Sequence, residues 1–134
     1  MTKNQLAFTD SYKISHERFE AEGTEFIYSN FTPRTGKYFP VPKEFYSGKA
    51  VLFNLQGFIK SFLIKDWNEN FFSQPKEKAV AQFKRRCDTH LGKGNIDMSR
   101  FEALHDLGYL PIKIKALPEG AASPMKVPLF IFHV

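Results

Sequence analysis

Four histidines and one cysteine have the widest chemical reach in this 134-residue chain. The histidines are His16, His90, His105 and His133, and no two have the i, i+4 spacing that places two metal ligands on one helix face. No metal site is expected. Cys87 stands alone, which excludes an internal disulfide and a cysteine-rich metal site and suits a reducing cytoplasm. His105 borders an apolar helix face beside Asp106 and reads as a partly buried structural histidine. No Gly-x-Ser-x-Gly elbow is present, and no cysteine–histidine pair can be argued. Gly92-Lys93-Gly94 lacks the further glycine of a dinucleotide fingerprint and the lysine-serine of a P-loop, so it reads as a hinge between helices. On its motifs the chain carries no self-contained catalytic machinery, and no catalytic residue is assigned.

The elements available to position any binding residue follow from composition and spacing. Hydrophobic residues make up 43% and charged residues 25%, the balance of one folded domain spanning residues 1–134. Fifteen phenylalanines predict an aromatic core or apolar surface meant for a partner. No apolar run approaches the roughly 20 residues that cross a bilayer, and Met1 to Leu6 lack a secretory stretch. A net charge of +5 favours anionic partners, among them phosphorylated small molecules. The densest basic cluster, Lys84-Arg85-Arg86, reads as a solvated helix face, and no nucleic-acid reader motif accompanies it. Neither nucleic acid nor membrane is expected as a partner.

Thr9 and Asp10 precede a short helix over Ser11 to Phe19, and an aromatic-rich strand runs from Glu25 to Phe31. Pro33, Pro40 and Pro42 impose a loop from Thr32 to Lys49. A helix is predicted over Ala50 to Trp67, with Leu52, Leu55, Ile59, Phe62 and Leu63 as its stripe. Phe53, Phe58 and Ile64 widen that stripe until most of the helix reads as buried. Ser73 with Pro75 starts the next helix, whose inner face is Val80, Phe83, Cys87 and Leu91, and Gly92 ends it. Asp97 or Asn95 caps a third helix through Phe101, Leu104 and Leu107, closed by Gly108. Leu110 to Leu117 alternates as a half-exposed strand, Pro118-Glu119-Gly120 turns the chain, and Val127 to Val134 is a last, almost wholly apolar strand. An ending inside a buried-type strand predicts a truncated chain, whether cloned fragment, split gene or frameshifted frame. The fold class expected is α+β: a small, mainly antiparallel sheet with three main helices packed against it.

Asp10-Ser11-Tyr12-Lys13-Ile14-Ser15-His16 resembles the opening motif of the nicotinamide phosphoribosyltransferases. Three further segments resemble the same family in the correct order. They are the strand that runs from Tyr28 to Arg34, the helix start Phe53-Asn54-Leu55-Gln56, and Leu110 to Gly120 followed by Pro124 and Val127-Pro128-Leu129-Phe130. The resemblance covers Asp10 to Val134. The related nicotinate enzymes share the threonine-aspartate-x-tyrosine opening and the proline-glutamate-glycine turn, and Lys13 and His16 favour nicotinamide. The loop between Arg34 and Val51 departs from the better-known members.

This resemblance implies the N-terminal domain of an enzyme that transfers a phosphoribosyl group from phosphoribosyl pyrophosphate to nicotinamide, giving nicotinamide mononucleotide. The parent would be a homodimer with an active site at the subunit interface, using magnesium and ATP. The catalytic histidine, the phosphate-binding segments and the barrel lie further along the family's chain, so the isolated chain is expected to be inactive. Tyr12 matches an aromatic residue that reaches across the dimer to stack on the nicotinamide ring. Asp10 matches an acidic residue at the same pocket, and Arg34 an arginine near the substrate phosphates. Read without the family, Tyr12 packs the short helix, Asp10 caps it and Arg34 is an exposed loop residue. The alternative function is a stand-alone binding or oligomerisation module that kept the fold without the chemistry.

Overall fold

A computed structural model describes residues Asn4–Val134, without the side chains of Glu17, Arg18 and Lys43. Met1 to Lys3, half of the segment read as lacking a secretory signal, lie outside the described residues. The architecture is α+β, as expected, and the chain divides into a helical unit, residues 1–24 and 58–110, and a sheet unit, residues 25–57 and 111–134. No helix among the described residues is long and apolar enough to cross a membrane.

In the helical unit, two 3-10 segments, Gln5–Phe8 and Ser11–Phe19, precede the main helices. The second coincides with the short helix expected there. Both are tied to helix α2 (Lys76–Leu91) by polar bonds. The Asn4 amide donates to the Ala79 carbonyl at 2.7 Å and its oxygen accepts from the Leu6 N–H at 3.0 Å. The Arg86 guanidinium donates to the Thr9 carbonyl at 2.6 Å, so this member of the basic cluster is a tether rather than part of a solvated face. The inner face of α2 is the predicted one. Val80, Phe83 and Cys87 are buried with Leu6, Ile14, Phe71, Ile96 and Met98, and Leu91 packs against that core. Helix α3 (Ser99–Leu107) is preceded by Asp97, whose carboxylate accepts from the Ser99 N–H at 3.0 Å. Asn95 instead donates to the Leu91 carbonyl at the end of α2. Gly108 closes α3 at φ 78, a left-handed conformation that costs glycine little.

Phe71 has no exposed surface and sits edge-on to Trp67, Phe72 and His105. The ring Nε2 of His105 lies 2.8 Å from the Gln74 carbonyl. His105 is thus the half-buried structural histidine expected, a packing and hydrogen-bonding residue of the core.

In the sheet unit, strands β1 (Tyr28–Phe31), β5 (Phe130–His133) and β3 (Lys113–Ala116) form an antiparallel sheet in the order β1-β5-β3. Tyr28 and Lys113 both stand opposite His133, so the last strand is the central one. Two three-residue strands, β2 (Lys49–Val51) and β4 (Ala122–Pro124), pair antiparallel as a separate sheet and were not expected.

The helix predicted from Ala50 starts five residues later. Residues 49–51 are strand, Asn54 turns left-handed at φ 61, and α1 runs over Leu55–Phe58. It continues as wider-wound helix through Ile59–Asp66 and Asn68–Phe72, and the Ser73 N–H reaches back five residues to the Asn68 carbonyl at 2.9 Å. The start is set by Glu119. Its carboxylate accepts from the Asn54 N–H at 2.6 Å and the Gln56 N–H at 3.0 Å, taking donors that a helix start leaves without partners. The expected burial is also corrected. Phe53 is 85% exposed, and Phe58 and Ile64 are about half exposed, so the apolar surface of this helix exceeds what the core takes in.

Candidate functional site

The 3-10 segment Ser11–Phe19 turns on Ile14, which is buried in the helical core. Tyr12 consequently points away from that core and is 66% exposed. Its contacts are with residues of its own segment, as the packing reading has it, and they leave most of the ring open. Lys13 links it to the second predicted residue. The ammonium lies 5.7 Å from the centre of the Tyr12 ring and 3.5 Å from the Asp10 carboxylate. His16 stands 5.9 Å from the Tyr12 ring at an interplanar angle of 59°. Asp10, Tyr12, Lys13 and His16 thus form one exposed cluster: an open aromatic face edged by a carboxylate, an ammonium and an imidazole. Such a face stacks flat heteroaromatic rings, and the carboxylate can accept from an amide N–H. A ring stacking on the face nearest Lys13 would displace that ammonium.

Lys13 also borders an apolar cleft of about 350 Å³ in the same unit, lined by Leu6, Phe8, Ile14, Phe62 and Trp67 among others. Lys76, Cys87, Asp88 and Asp97 of the helical unit all have shifted protonation, and Cys87 and Asp88 lie on one helix. Burial in the core pushes the Cys87 thiol up from its ordinary value, which keeps it a thiol rather than a thiolate. Asp88 is held below the usual carboxylate range by the Lys84 ammonium at 2.7 Å and by the Gly94 N–H.

Arg34 belongs to the sheet unit and follows β1. It is exposed and lines an open depression with Asn30, Phe31, Thr32, Pro33 and Lys126. The wall is firm because the Leu129 N–H donates to the Phe31 carbonyl at 2.9 Å and the Lys126 N–H to the Pro33 carbonyl at 2.7 Å. A planar guanidinium in such a depression can grip an oxyanion through two parallel bonds. Sequence reasoning passed over Lys126. Its only signal there was a cation between Pro124 and the last strand, far from Arg34 along the chain.

No family model matches the chain. Over 126 residues, 94% of its length, it is 52% identical to the nicotinamide phosphoribosyltransferase of Acinetobacter baylyi. By sequence the chain is similar to part of that nicotinamide phosphoribosyltransferase. It spans a quarter of the length of the curated relative it matches. An identity of 52% across this much of the chain leaves little room for a different backbone in the matched part of that enzyme. The family resemblance of Pro118-Glu119-Gly120 also has a structural reason. Glu119 caps the start of α1, and Gly120, at φ 83, donates its N–H to the Leu52 carbonyl at 2.8 Å.

Proposed function

We propose that this chain is the N-terminal portion of a nicotinamide phosphoribosyltransferase, an enzyme of pyridine nucleotide salvage. Its task is to lend substrate-pocket and interface residues to a catalytic centre built by the rest of the polypeptide. The observation that carries the reading is the 52% identity over nearly the whole chain. The geometry supports it in two places. Tyr12 turns an open ring outward beside Asp10, as a residue that stacks on nicotinamide from across a dimer must. Arg34 lines a depression walled by backbone and polar groups, as a residue that meets the phosphates of phosphoribosyl pyrophosphate must. The parent works as a homodimer with magnesium and ATP. The isolated chain makes no nicotinamide mononucleotide, because the catalytic histidine and the phosphate-binding segments that the resemblance implies belong to the rest of the polypeptide.

A chimera tests this directly. The matching segment of the Acinetobacter baylyi enzyme is replaced by this chain, and the product is assayed with nicotinamide, phosphoribosyl pyrophosphate, magnesium and ATP. Formation of nicotinamide mononucleotide at a rate within about tenfold of the unmodified enzyme is expected, while the chain alone gives none. A folded chimera without activity, or turnover by the isolated chain, refutes the reading.

A further inference from the structure

The depression beside Arg34 contains a second cation, and its placement is built rather than incidental. Lys126 adopts left-handed backbone at φ 69, a conformation that glycine and asparagine enter readily and a residue with a long side chain does not. Its N–H is bonded to the carbonyl of Pro33, the residue immediately before Arg34, at 2.7 Å. The bond that ties the turn before β5 to the loop after β1 therefore also brings Lys126 and Arg34 to one concavity. The remaining polar lining is Asn30 and Thr32, joined at 2.6 Å, and no carboxylate is among the described residues that line it. Two cations without an acid repel a metal ion and attract an oxyanion. A guanidinium fork and a point-charge ammonium together suit a phosphoryl group carrying two negative charges.

We infer that Lys126 is a phosphate-binding residue that acts beside Arg34 on the same phosphoryl group. The inference rests on the reading of Arg34 above and adds to it a residue, a backbone clamp and a ligand charge. Inorganic pyrophosphate is the probe, with inorganic phosphate in a second arm to separate a diphosphate from a single phosphoryl group. Amide shifts of Asn30, Phe31, Thr32, Arg34 and Lys126 are followed by nuclear magnetic resonance at low salt in the chain itself. Both probes are expected to move these amides, pyrophosphate at the lower concentration. Lys126→Gly and Lys126→Asn keep the left-handed turn and are expected to weaken binding roughly fivefold or more, while Lys126→Arg retains it. Unchanged affinity in Lys126→Gly and Lys126→Asn, with affinity lost in Arg34→Ala, overturns the role of Lys126 and leaves that of Arg34 standing. No response to either probe, or a response that neither Lys126→Gly nor Arg34→Ala alters, overturns both.

Discussion

Replacing Glu119 should loosen the start of α1 before anything else. Its carboxylate takes the Asn54 N–H at 2.6 Å and the Gln56 N–H at 3.0 Å, two donors that the helix itself cannot satisfy. It also lays a negative charge on the positive end of a helix that continues to Phe72. A side-chain cap contributes roughly 0.5–2 kcal/mol. Here both bonds are charge-assisted but exposed, which places Glu119→Ala near the middle, about 1–1.5 kcal/mol. For a chain of this size that is a fall in Tm of about 3–7 °C. Glu119→Gln keeps an acceptor oxygen and loses the charge, so about half of that fall is expected. The assay is thermal unfolding followed by circular dichroism, with amide exchange at Asn54 and Gln56 as the local readout. Both amides should exchange faster in the alanine variant than in the parent, whereas those of Val80 and Phe83 should slow or hasten only with global stability. An unchanged Tm together with unchanged protection at Asn54 and Gln56 refutes the capping argument.

Four further outcomes follow from the same geometry. In the chimeric enzyme, Tyr12→Ala should raise the KM for nicotinamide at least several-fold and Tyr12→Phe should be milder, because the ring face carries a stacking contact of about 0.5–1.5 kcal/mol; kinetics identical to the parent in both variants would reduce Tyr12 to a bystander. Arg34→Ala in the same chimera should act on phosphoribosyl pyrophosphate rather than nicotinamide, with roughly tenfold or greater loss and only partial recovery in Arg34→Lys; equal effects on both substrates would count against it. Cys87, 1% exposed with its thiol pKa raised, should react with a disulfide reagent only as fast as the helical unit opens, so labelling in native buffer at the rate of a free thiol contradicts the structure. Asp88 has a lowered folded pKa, so its contribution to stability is present above the ordinary carboxylate value and disappears as pH falls through that lowered value. Asp88→Asn should therefore flatten the acid limb of the stability curve, measured by urea unfolding between about pH 5 and 2.

What the sequence disclosed, and what it concealed, divides by distance along the chain. Helix α2 was legible because Val80, Phe83 and Cys87 repeat at helical spacing and Gly92 ends them, and all of that information is local. The glycine stop of α3 and the apolar strand β5 were legible for the same reason. Strands β2 and β4 were not. Each is three residues long, too short to show alternation, and each exists only because the other pairs with it across some seventy residues. The late start of α1 has the same origin: Ala50 to Trp67 has a helical pattern, but the cap that chooses Leu55 comes from Glu119. Spacing likewise suggested a helix buried on most sides, and it could not reveal that Phe53 has no neighbour to cover it. The candidate site was legible only through the family resemblance of Asp10, Tyr12 and Arg34. The turn of the Ser11–Phe19 segment on Ile14, which faces Tyr12 outward, and the clamp that brings Lys126 beside Arg34 needed coordinates.

The position of β5 between β1 and β3 fixes an order of events during folding. Pairing β5 with β3 closes a loop of about fourteen residues, from Ala116 to Phe130, whereas pairing it with β1 brings together Phe31 and Phe130, roughly a hundred residues apart. The difference in closure entropy is about 1.7 kcal/mol in favour of the short loop, before either pair gains any side-chain contact. Closure entropy thus favours pairing β3 with β5 first and adding β1 later. As the chain leaves a ribosome, the aromatic residues of β1 emerge about a hundred residues ahead of the strand that pairs with them. Over that interval the backbone N–H and C=O groups of Tyr28–Phe31 lack their partner strand, so a chaperone that binds extended aromatic segments should map to residues 26–31 of the nascent chain.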